Sequence, residues 1–384
     1  MTLAFNQRIH KALEERKQSD LVRSVIALER GNQAVFQNNG KWFDNFSSND
    51  YLGLAASDEL KLCYQQAVSD YGVGSAASPL VTGYSNQHQS LESALTEWLG
   101  YDSALFFSSG FAANQAVVFA LLQKGDLLLQ DKLNHASLME AGMLCDAEMK
   151  RYRHCNQGHL AQLLQADKPM MAVTESVFSM DGDIADLDGF VSLCKQAGAL
   201  SMIDDAHGIG VIGEQGNGAV GMTSKRADIL VVTFGKAFGL NGAAVLCSRE
   251  MKDYLTQFAR HYVYSTAFSA AHAVAITRAV AMIQTQQWRR EMLIELGAIY
   301  DETLNGTAGF VATKTPIKPW LVGEESDVLA LCAALKREQS WTTAIRPPTV
   351  PKGSARLRIT LSAAHEAKAV QKLAFNLKRH SEGC

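Results

Sequence analysis

The chain has 384 residues, of which 47% are hydrophobic and 20% charged, with 29 glycines and 7 prolines, a composition that excludes a disordered or collagen-like polymer. Its formal net charge of −3 gives no electrostatic reason to expect binding to nucleic acid or to an acidic membrane surface, so the expected ligand is a small molecule. No apolar run approaches the roughly 20 residues of a spanning helix, and the first residues have no secretory signal pattern, so we expect a cytoplasmic protein.

The first 45 residues are predicted to form a helical N-terminal arm. Phe5, Ile9 and Leu13 recur every four residues among polar neighbours, which is the pattern of an amphipathic helix that must pack on another surface. A second helix, beyond the arm, is predicted to begin near Asn86 and to end at Gly100, with leucines four residues apart along one face.

Residues 46–270 are predicted to form a large α/β domain. Short apolar runs alternate there with helical patterns, which is typical of a mostly parallel sheet with helices on both faces. In such sheets ligands bind beyond the carboxyl ends of the strands, so the informative residues should follow the apolar runs. The predicted strands are Ala104–Phe107, Leu127–Gln130, Met170–Val173, Leu200–Ile203, Ile229–Val232 and Ala243–Leu246.

Residues 271–384 have a different order of predicted helices and strands, which indicates a smaller C-terminal α+β domain. A helical stretch up to about residue 305 comes first. It is followed by a helix at Val328–Leu335, strands at Thr342–Ile345 and Leu357–Leu361, and a terminal helix from Ala364.

Cysteine and histidine spacing gives no local signature of a metal site. The seven cysteines are odd in number and never form a C-x-x-C pair, which argues against a disulfide framework and a zinc knuckle. The ten histidines contain no H-E-x-x-H pair. We therefore expect reduced thiols and no metal.

Two of the apolar runs end in residues that can carry chemistry. Lys236 follows Ile229–Val232 among glycines, where burial would lower the pKa of its amine and make it a candidate Schiff-base residue. A single lysine is usually a surface residue, so the assignment of Lys236 as a Schiff-base residue depends on the other reactive residues predicted near it. Asp204 and His207 follow Leu200–Ile203. An acid there can hold a proton on a pyridine nitrogen and an imidazole can bond a phenolic oxygen, which are functions that pyridoxal phosphate needs.

Three further strand ends complete this pattern. Gly110 and Phe111 open a helix directly after a strand, and the amides of such a helix terminus can bind a phosphate. His135 follows Leu127–Gln130 and could stack on a flat ring. Ser179 lies after Met170–Val173 and could donate a hydrogen bond to the cofactor or the substrate.

Gly208, Gly210 and Gly213 spell a dinucleotide-binding fingerprint after a strand. A dinucleotide site needs a helix that opens within the fingerprint, and the glycine-rich residues 214–218 cannot sustain one. We interpret these glycines as a loop after the acid and histidine pair.

The order of these residues resembles that of the fold-type I pyridoxal-phosphate enzymes, and more narrowly the α-oxoamine synthases. The segments that carry the resemblance are Asn45–Leu54, Asp204–Gly208, Thr233–Lys236 and Ala344–Pro351. The resemblance implies a fold-type I transferase that condenses an amino acid with an acyl thioester and releases carbon dioxide. The most similar branch of the family uses L-alanine and a pimeloyl thioester, carried on coenzyme A or on acyl carrier protein.

The resemblance also implies roles for individual residues. The implied catalytic residues are Lys236, His135 and Asp204. The cofactor would be held by Gly110, Phe111, His135, Ser179, Asp204, His207, Thr233, Lys236 and Thr266. Substrate would be contacted by Arg23, Asn49, His135, Arg346 and Thr349, with the Arg346 guanidinium suited to bind a carboxylate through two hydrogen bonds. Thr266 lies where relatives supply a phosphate ligand from a partner subunit, which implies a homodimer.

Three alternatives remain open from the sequence. The first is a sister enzyme, such as 2-amino-3-ketobutyrate ligase using glycine and an acetyl thioester, or a synthase using glycine or serine with another acyl group. The second is a non-catalytic pyridoxal-phosphate module of a regulator, which is disfavoured because no basic DNA-binding segment precedes the fold. The third is a nicotinamide dehydrogenase.

Overall fold

The computed structural model describes residues 3–19, 21–31, 33–347 and 349–382. Pro348, part of the motif Arg346-Pro347-Pro348-Thr349, lies outside these ranges. The chain forms two compact units. The large unit consists of Asn49–Glu295 and Lys314–Pro316, and the small unit of Met1–Ser48, Leu296–Thr313 and Ile317–Cys384.

The N-terminal part of the small unit contains the predicted amphipathic helix and a hairpin. Helix α1 spans Leu3–Gln18, and its apolar side chains remain exposed within this chain. Strands β1 (Val35–Asn38) and β2 (Lys41–Asn45) pair antiparallel. Asn39 and Gly40 join them with φ values of 50° and 71°. Asparagine and glycine are the residues that a two-residue turn with positive φ favours.

A seven-stranded sheet forms the centre of the large unit. Its strands are β3 (Ser103–Phe107), β4 (Leu127–Asp131), β5 (Glu148–Tyr152), β6 (Met170–Glu175), β7 (Leu200–Asp204), β8 (Ile229–Thr233) and β9 (Ala243–Cys247). They lie in the order β3-β9-β8-β7-β6-β4-β5, and β9 pairs antiparallel with both of its neighbours while the remaining pairs are parallel. The predicted α/β class with a mostly parallel sheet is confirmed.

The helices of the large unit cover this sheet. They are α2 (Asp58–Tyr71), α3 (Asn86–Leu99), α4 (Gly110–Leu121), α5 (Ala136–Leu144), α6 (Gln157–Leu163), α7 (Leu187–Ala197), α8 (Arg249–Phe258), α9 (Arg260–Val263), α10 (Ala270–Thr285) and the first half of α11 (Trp288–Leu304). Helix α3 ends where predicted, because Gly100 adopts the left-handed conformation at φ 69°. The described residues between Asp205 and Asn217 form turns without a helix, as predicted for the glycine fingerprint.

Apolar strand residues and one face of α4 form a continuous core. Val117 of α4 packs in a cluster with Leu128, Val173 and Val231 from the sheet, and all four are fully buried. Each such side chain contributes about 1.5–3 kcal/mol when removed from water. The sheet end that carries the site therefore rests on a rigid base.

Strand β5 was missing from the sequence prediction for a physical reason. It is the edge strand next to β4, and its residues Glu148-Met149-Lys150-Arg151-Tyr152 are mostly exposed and charged. Charged side chains protect edge strands from unwanted pairing, but they also remove the apolar pattern by which strands are predicted.

The remaining elements of the small unit come from the C-terminal part of the chain. They are the second half of α11, β10 (Ile317–Gly323), α12 (Glu325–Arg337), β11 (Ser340–Trp341), β12 (Thr343–Ile345), β13 (Ala355–Thr360) and α13 (Ala367–Glu382). Two three-stranded sheets result, in the orders β1-β2-β11 and β10-β13-β12. Buried Val370, Leu373 and Leu377 recur at helical spacing on α13 and face the interior of the unit.

This division differs from the predicted boundaries at residues 45 and 270. The N-terminal segment belongs to the small unit because β11 pairs in parallel with β2 and because His365 Nε2 lies 2.9 Å from the Asn45 carbonyl. Residues 271–295 belong to the large unit because α10 packs on α2 and α3. Neither the pairing of β11 with β2 nor the packing of α10 on α2 and α3 is indicated by a local pattern in the sequence.

No helix within the described ranges has the length and apolar character needed to span a membrane.

Candidate active site

A cavity of about 310 Å³ lies at the carboxyl ends of the parallel strands of the large unit. Ligand cavities of enzymes are of this size and occur at this edge of α/β sheets. Eight of the predicted site residues line it: Asn49, Gly110, Phe111, His135, Asp204, His207, Thr233 and Lys236. The other lining residues are Ser108, Ser109, Asn114, Ser137, Glu175, Ala206, Gly235, Asn241 and Gly242.

One wall of the cavity is the N-terminus of α4. Ser109 caps this helix, since its Oγ accepts from Ala112 N at 3.2 Å and its carbonyl accepts from Ala113 N at 3.0 Å. The amides of Gly110 and Phe111 belong to the first turn, which has no intrahelical acceptors, so they can bind an anion. A Cβ on Gly110 would lie 2.6 Å from Thr233 Cγ2, so only glycine lets the helix start this close to β8.

Asp204 is the last residue of β7 and its carboxylate is held from two sides. Oδ1 accepts from Ala206 N at 3.0 Å and Oδ2 accepts from Asn114 Nδ2 at 2.7 Å. Each carboxylate oxygen can accept a second hydrogen bond, so Asp204 can still accept one from a bound ring.

The next residue points to the opposite face of the sheet. Asp205 accepts hydrogen bonds from Ser176 Oγ and from Ala219 N, the latter at 2.9 Å. Burial raises the pKa of Asp205 to about 7. Asp205 therefore anchors the glycine loop, while Asp204 serves the cavity.

His207 is oriented by a buried tyrosine. Its Nδ1 lies 2.7 Å from the hydroxyl of Tyr51, which in turn donates to Asn49 Oδ1 at 3.2 Å. Tyr51 is fully buried, so it holds the imidazole in one orientation at the cavity wall. No local pattern in the sequence marks Tyr51 for this role.

His135 lies at the start of α5 in a chain of hydrogen bonds that reaches Asp204. Asn114 Nδ2 donates to Ser137 Oγ at 2.9 Å, and Ser137 Oγ lies 2.8 Å from His135 Nδ1. The Ser137 amide also donates to Nδ1, at 3.2 Å. This geometry assigns the proton of the neutral ring to Nε2. Burial lowers the pKa of His135, and the charge of Lys236 lowers it further against the opposite effect of Asp204, so the neutral form is favoured.

Glu175 is a second buried acid at the site. It is the last residue of β6, and its Oε1 accepts from His135 N at 2.5 Å. Burial, followed by the charge of Asp204, raises the pKa of Glu175 well above its usual value. Glu175 thus fixes the backbone of His135 without adding a full negative charge to the cavity.

Lys236 lies in a tight turn after β8. Phe234 N donates to Gly242 O at 2.9 Å and Gly239 N donates to Lys236 O at 2.9 Å, so the turn folds back on itself. Gly239 has φ 68°, and a Cβ there would lie 2.2 Å from Ala55 N, so this position requires glycine. The half-buried Lys236 side chain lines the cavity together with His135 and Asp204.

Two predicted cofactor residues lie elsewhere in the large unit. Ser179 is buried in the turn after β6. Thr266 is exposed and lines a separate small cavity that it shares with Ser108. Among the described residues, those that line the main cavity include neither Ser179 nor Thr266.

Three predicted substrate residues come together in the small unit. Arg23, Arg346 and Thr349 all line a cavity of about 1,070 Å³ in that unit. Arg16, Lys17 and Lys336 lie along the same cavity, so its lining is rich in cations. A carboxylate is the ligand that such a lining favours.

Sequence reasoning missed four residues of the main site, of which two had a usable signal. Asn114 and Gln115 are the two polar side chains of an otherwise apolar helix, and Asn114 lies one turn after Gly110, on the same side of the helix. Glu175 ends a buried strand in the same way as Asp204 does. Tyr51 acts through His207, which only folding brings near, whereas Ser137 contacts His135, two residues before it in the chain.

The residues of the cavity fit pyridoxal phosphate on structural grounds. The α4 terminus offers amides to a phosphate, Asp204 offers a buried acceptor to a ring nitrogen, and Lys236 offers an amine. A Cβ added to Gly110 would lie only 2.6 Å from Thr233 Cγ2, so the backbone packs very closely at the position that would bind the phosphate.

Comparisons with known proteins agree with this chemistry. The family model "Aminotransferase class I and II" matches residues 44–377. Two curated proteins named 8-amino-7-oxononanoate synthase are 56% identical (Vibrio atlanticus, covering 97% of this chain and 93% of that protein) and 55% identical (Vibrio cholerae, covering 100% and 99%).

Solved structures give the same result at the level of the fold. A serine palmitoyltransferase from Sphingomonas wittichii superposes with a TM-score of 0.92 at 25% identity, covering 100% of this chain and 99% of that one. An 8-amino-7-oxononanoate synthase from Francisella tularensis gives a TM-score of 0.77 at 28% identity, covering 89% and 98%. The chain therefore belongs to the class I and II aminotransferase family of fold-type I pyridoxal-phosphate enzymes and, within it, to the 8-amino-7-oxononanoate synthases.

Proposed function

We propose that this chain condenses L-alanine with a pimeloyl thioester to form 8-amino-7-oxononanoate, carbon dioxide and a free thiol, as a step of biotin biosynthesis. The thioester is carried on coenzyme A or on acyl carrier protein. The observation that carries the proposal is that Lys236, Asp204, His207 and His135 line one cavity in a chain more than half identical to curated synthases of this name.

Pyridoxal phosphate, when bound, supplies a ring that withdraws the electron pair left on the α-carbon of an amino acid. Lys236 Nζ would hold the cofactor, and its free amine would take the proton from the alanine α-carbon and later return a proton to the product. The backbone hydrogen bonds that close the turn of Lys236 support this role, because they fix the main chain from which the amine extends.

Three groups orient the cofactor. The amides of Gly110 and Phe111 would bind its phosphate, and His207, oriented by Tyr51, would donate to its phenolic oxygen. Asp204, whose carboxylate is buried and fixed by Asn114, would accept a hydrogen bond from the protonated ring nitrogen. This proton makes the ring an effective acceptor of electrons near neutral pH.

His135 would have two roles in the reaction. Its neutral imidazole would pack on the flat ring, and its Nε2 would donate a hydrogen bond to the carbonyl oxygen of the acyl thioester. The chain from Asn114 through Ser137 keeps that proton on Nε2, so the ring is ready to stabilise negative charge on the acyl oxygen.

Carboxylates of the substrates are bound by Arg346 and Arg23, with Thr349 as a further polar contact. Asn49, which lines the main cavity, would contact substrate there. The family resemblance supports Ser179 and Thr266 as further cofactor contacts, Thr266 from a partner subunit in a homodimer. The exposed apolar side chains of α1, such as Phe5 and Leu13, support an assembly larger than one chain. The enzyme works in the cytoplasm.

A second candidate is a sister α-oxoamine synthase, because the serine palmitoyltransferase superposes with the higher TM-score of 0.92. Fold similarity at 25% identity does not separate members of one family, whereas identities of 55–56% over nearly the full length favour the alanine enzyme.

The test is a matrix of three amino acids and three acyl donors. Purified holoenzyme is assayed for thiol release and for the mass of the product with L-alanine, glycine and L-serine, each paired with pimeloyl-, acetyl- and palmitoyl-coenzyme A. We expect turnover with L-alanine and the pimeloyl thioester, and a change of the visible cofactor band that is largest with L-alanine. Preference for glycine with acetyl-coenzyme A would assign the ligase instead. Preference for L-serine with the long acyl chain would assign the palmitoyltransferase.

A further inference from the structure

A second cluster of reactive side chains lies in the large unit, apart from the residues that line the catalytic cavity. It consists of Asp131 at the end of β4, His154 and Cys155 in the turn after β5, and Asp183 in the turn after β6. Ligand atoms of Asp131, His154 and Cys155 all lie within 4.8 Å of one another. Nothing in the proposed synthase reaction uses these side chains.

Three atoms of the cluster have nearly the spacing of a tetrahedral metal site. Cys155 Sγ lies 3.7 Å from His154 Nε2 and 3.7 Å from Asp183 Oδ2. Tetrahedral zinc with ordinary bond lengths places sulfur about 3.6 Å from its nitrogen and oxygen co-ligands. His154 Nε2 and Asp183 Oδ2 are 2.8 Å apart, a hydrogen bond that would open to about 3.4 Å around a metal.

Asp131 prepares His154 for this role. Its Oδ1 accepts from His154 Nδ1 at 2.9 Å, and its Oδ2 accepts from Cys155 N at 2.8 Å. A carboxylate on one ring nitrogen directs the lone pair of the other nitrogen at the metal, which is the usual outer-shell arrangement of zinc-bound histidine. Because Asp131 is fully buried, this arrangement is rigid.

Two further observations point to a ligand. Cys155 has φ 48°, a conformation that costs energy for a residue with a side chain, and strain of this kind concentrates at functional sites. Asp183 Oδ1 is buried and has no hydrogen-bond partner among the described residues. A metal bound by both oxygens of Asp183 would satisfy it. Cys155 is exposed, so an ion can enter from solvent.

We infer that His154, Cys155 and Asp183 bind a thiophilic divalent cation of the zinc class, with Asp131 as the outer-shell partner of His154. Thiolate and imidazole ligands select such metals over magnesium or calcium. Binding releases the thiol proton of Cys155 and the Nε2 proton of His154 to solvent, with no change of oxidation state.

We expect metal binding to link two loops of the large unit. Asp131 Oδ1 also accepts from Leu133 N at 2.8 Å, in the loop that leads to His135. Asp183 closes the turn that contains Ser179, because its carbonyl accepts from Phe178 N at 3.0 Å. A bound ion therefore ties together two loops that the proposed reaction uses.

The test is metal binding by untagged holoenzyme in metal-free buffer. Zinc affinity is measured by competition with a chromophoric chelator, and cobalt is used as a spectroscopic probe of thiolate ligation. We expect one zinc per chain and a thiolate-to-cobalt charge-transfer band. Cys155→Ser should abolish the band, and Asp131→Asn should weaken zinc binding by about 10- to 100-fold.

The matched control is Cys63→Ser, which removes another partly exposed thiol of the large unit. It should leave the zinc affinity and the cobalt band unchanged. Asp183→Asn provides a second ligand variant, and circular dichroism together with the visible cofactor band verifies that each variant is folded. Absence of stoichiometric zinc uptake by the wild-type enzyme overturns the inference. So does tight zinc binding that survives both Cys155→Ser and Asp183→Asn.

Discussion

Replacing Asn114 by alanine is expected to lower turnover strongly without unfolding the protein. Asn114 Nδ2 donates to Asp204 Oδ2 at 2.7 Å and to Ser137 Oγ at 2.9 Å. A hydrogen bond to a charged acceptor contributes about 1.5–3 kcal/mol. At 1.36 kcal/mol for each factor of ten, its loss corresponds to a fall in kcat of about 10- to 150-fold. The physical reason is that Asn114 would no longer hold the Asp204 carboxylate in the orientation needed to bind the cofactor ring.

The assay compares steady-state kcat and KM for both substrates in the wild type and the variant. Gln115→Ala is the matched control, because Gln115 is the next residue of α4 and its Nε2 donates at 3.1 Å to Glu140, which does not line the cavity. We expect a loss of kcat in Asn114→Ala with nearly unchanged KM, and wild-type kinetics in Gln115→Ala. The reasoning is refuted if Asn114→Ala keeps turnover within about twofold of wild type or if both variants lose turnover equally.

Three other predictions test separate parts of the molecule. Lys236→Ala should lose turnover and the visible cofactor band together, whereas Lys195→Ala, on the exposed side of α7, should keep both; retained turnover in the first variant would contradict its assignment. Ser137→Ala removes the hydroxyl next to His135 Nδ1, and kcat should fall by about 2- to 10-fold; no change would mean that the tautomer of His135 does not depend on the Ser137 hydroxyl. Burial lowers the pKa of His365 to about 4 from about 6.5 in the unfolded chain. The unfolded state therefore binds more protons between these values, and stability present above pH 6.5 falls by about 3 kcal/mol as the pH drops towards 4. Urea unfolding at several pH values should show this slope in the wild type and a shallower one in His365→Gln; equal slopes would show that other groups dominate.

Much of the catalytic cavity could be predicted because its residues follow apolar runs. Asp204 ends the buried strand β7 and Lys236 lies in the turn after β8, and the parallel arrangement brings such strand ends to one edge. The α-oxoamine resemblance depends on the same local segments. A short, fully buried strand is visible in the sequence itself, so its last residue is visible as well.

The tertiary structure decided which side chains support these residues. Asn114 reaches Asp204 and Ser137 from α4, and Tyr51 reaches His207 from a distant part of the chain. Nothing next to Asn114 or Tyr51 in the sequence indicates those partners. The same holds for β11, whose pairing with β2 joins the N-terminal segment to the C-terminal half.

The cluster around His154 shows this limit most clearly. The spacing of cysteines and histidines along the chain predicts no metal site, yet folding brings Asp131 and Asp183 from two other parts of the chain to the imidazole of His154, which is next to Cys155. The fold class and the family could be predicted from the sequence, since both depend on short segments, and the same segments carry the prediction of the reactive residues. The hydrogen-bond networks and the second cluster could not be predicted, because their geometry depends on packing between segments far apart in the chain.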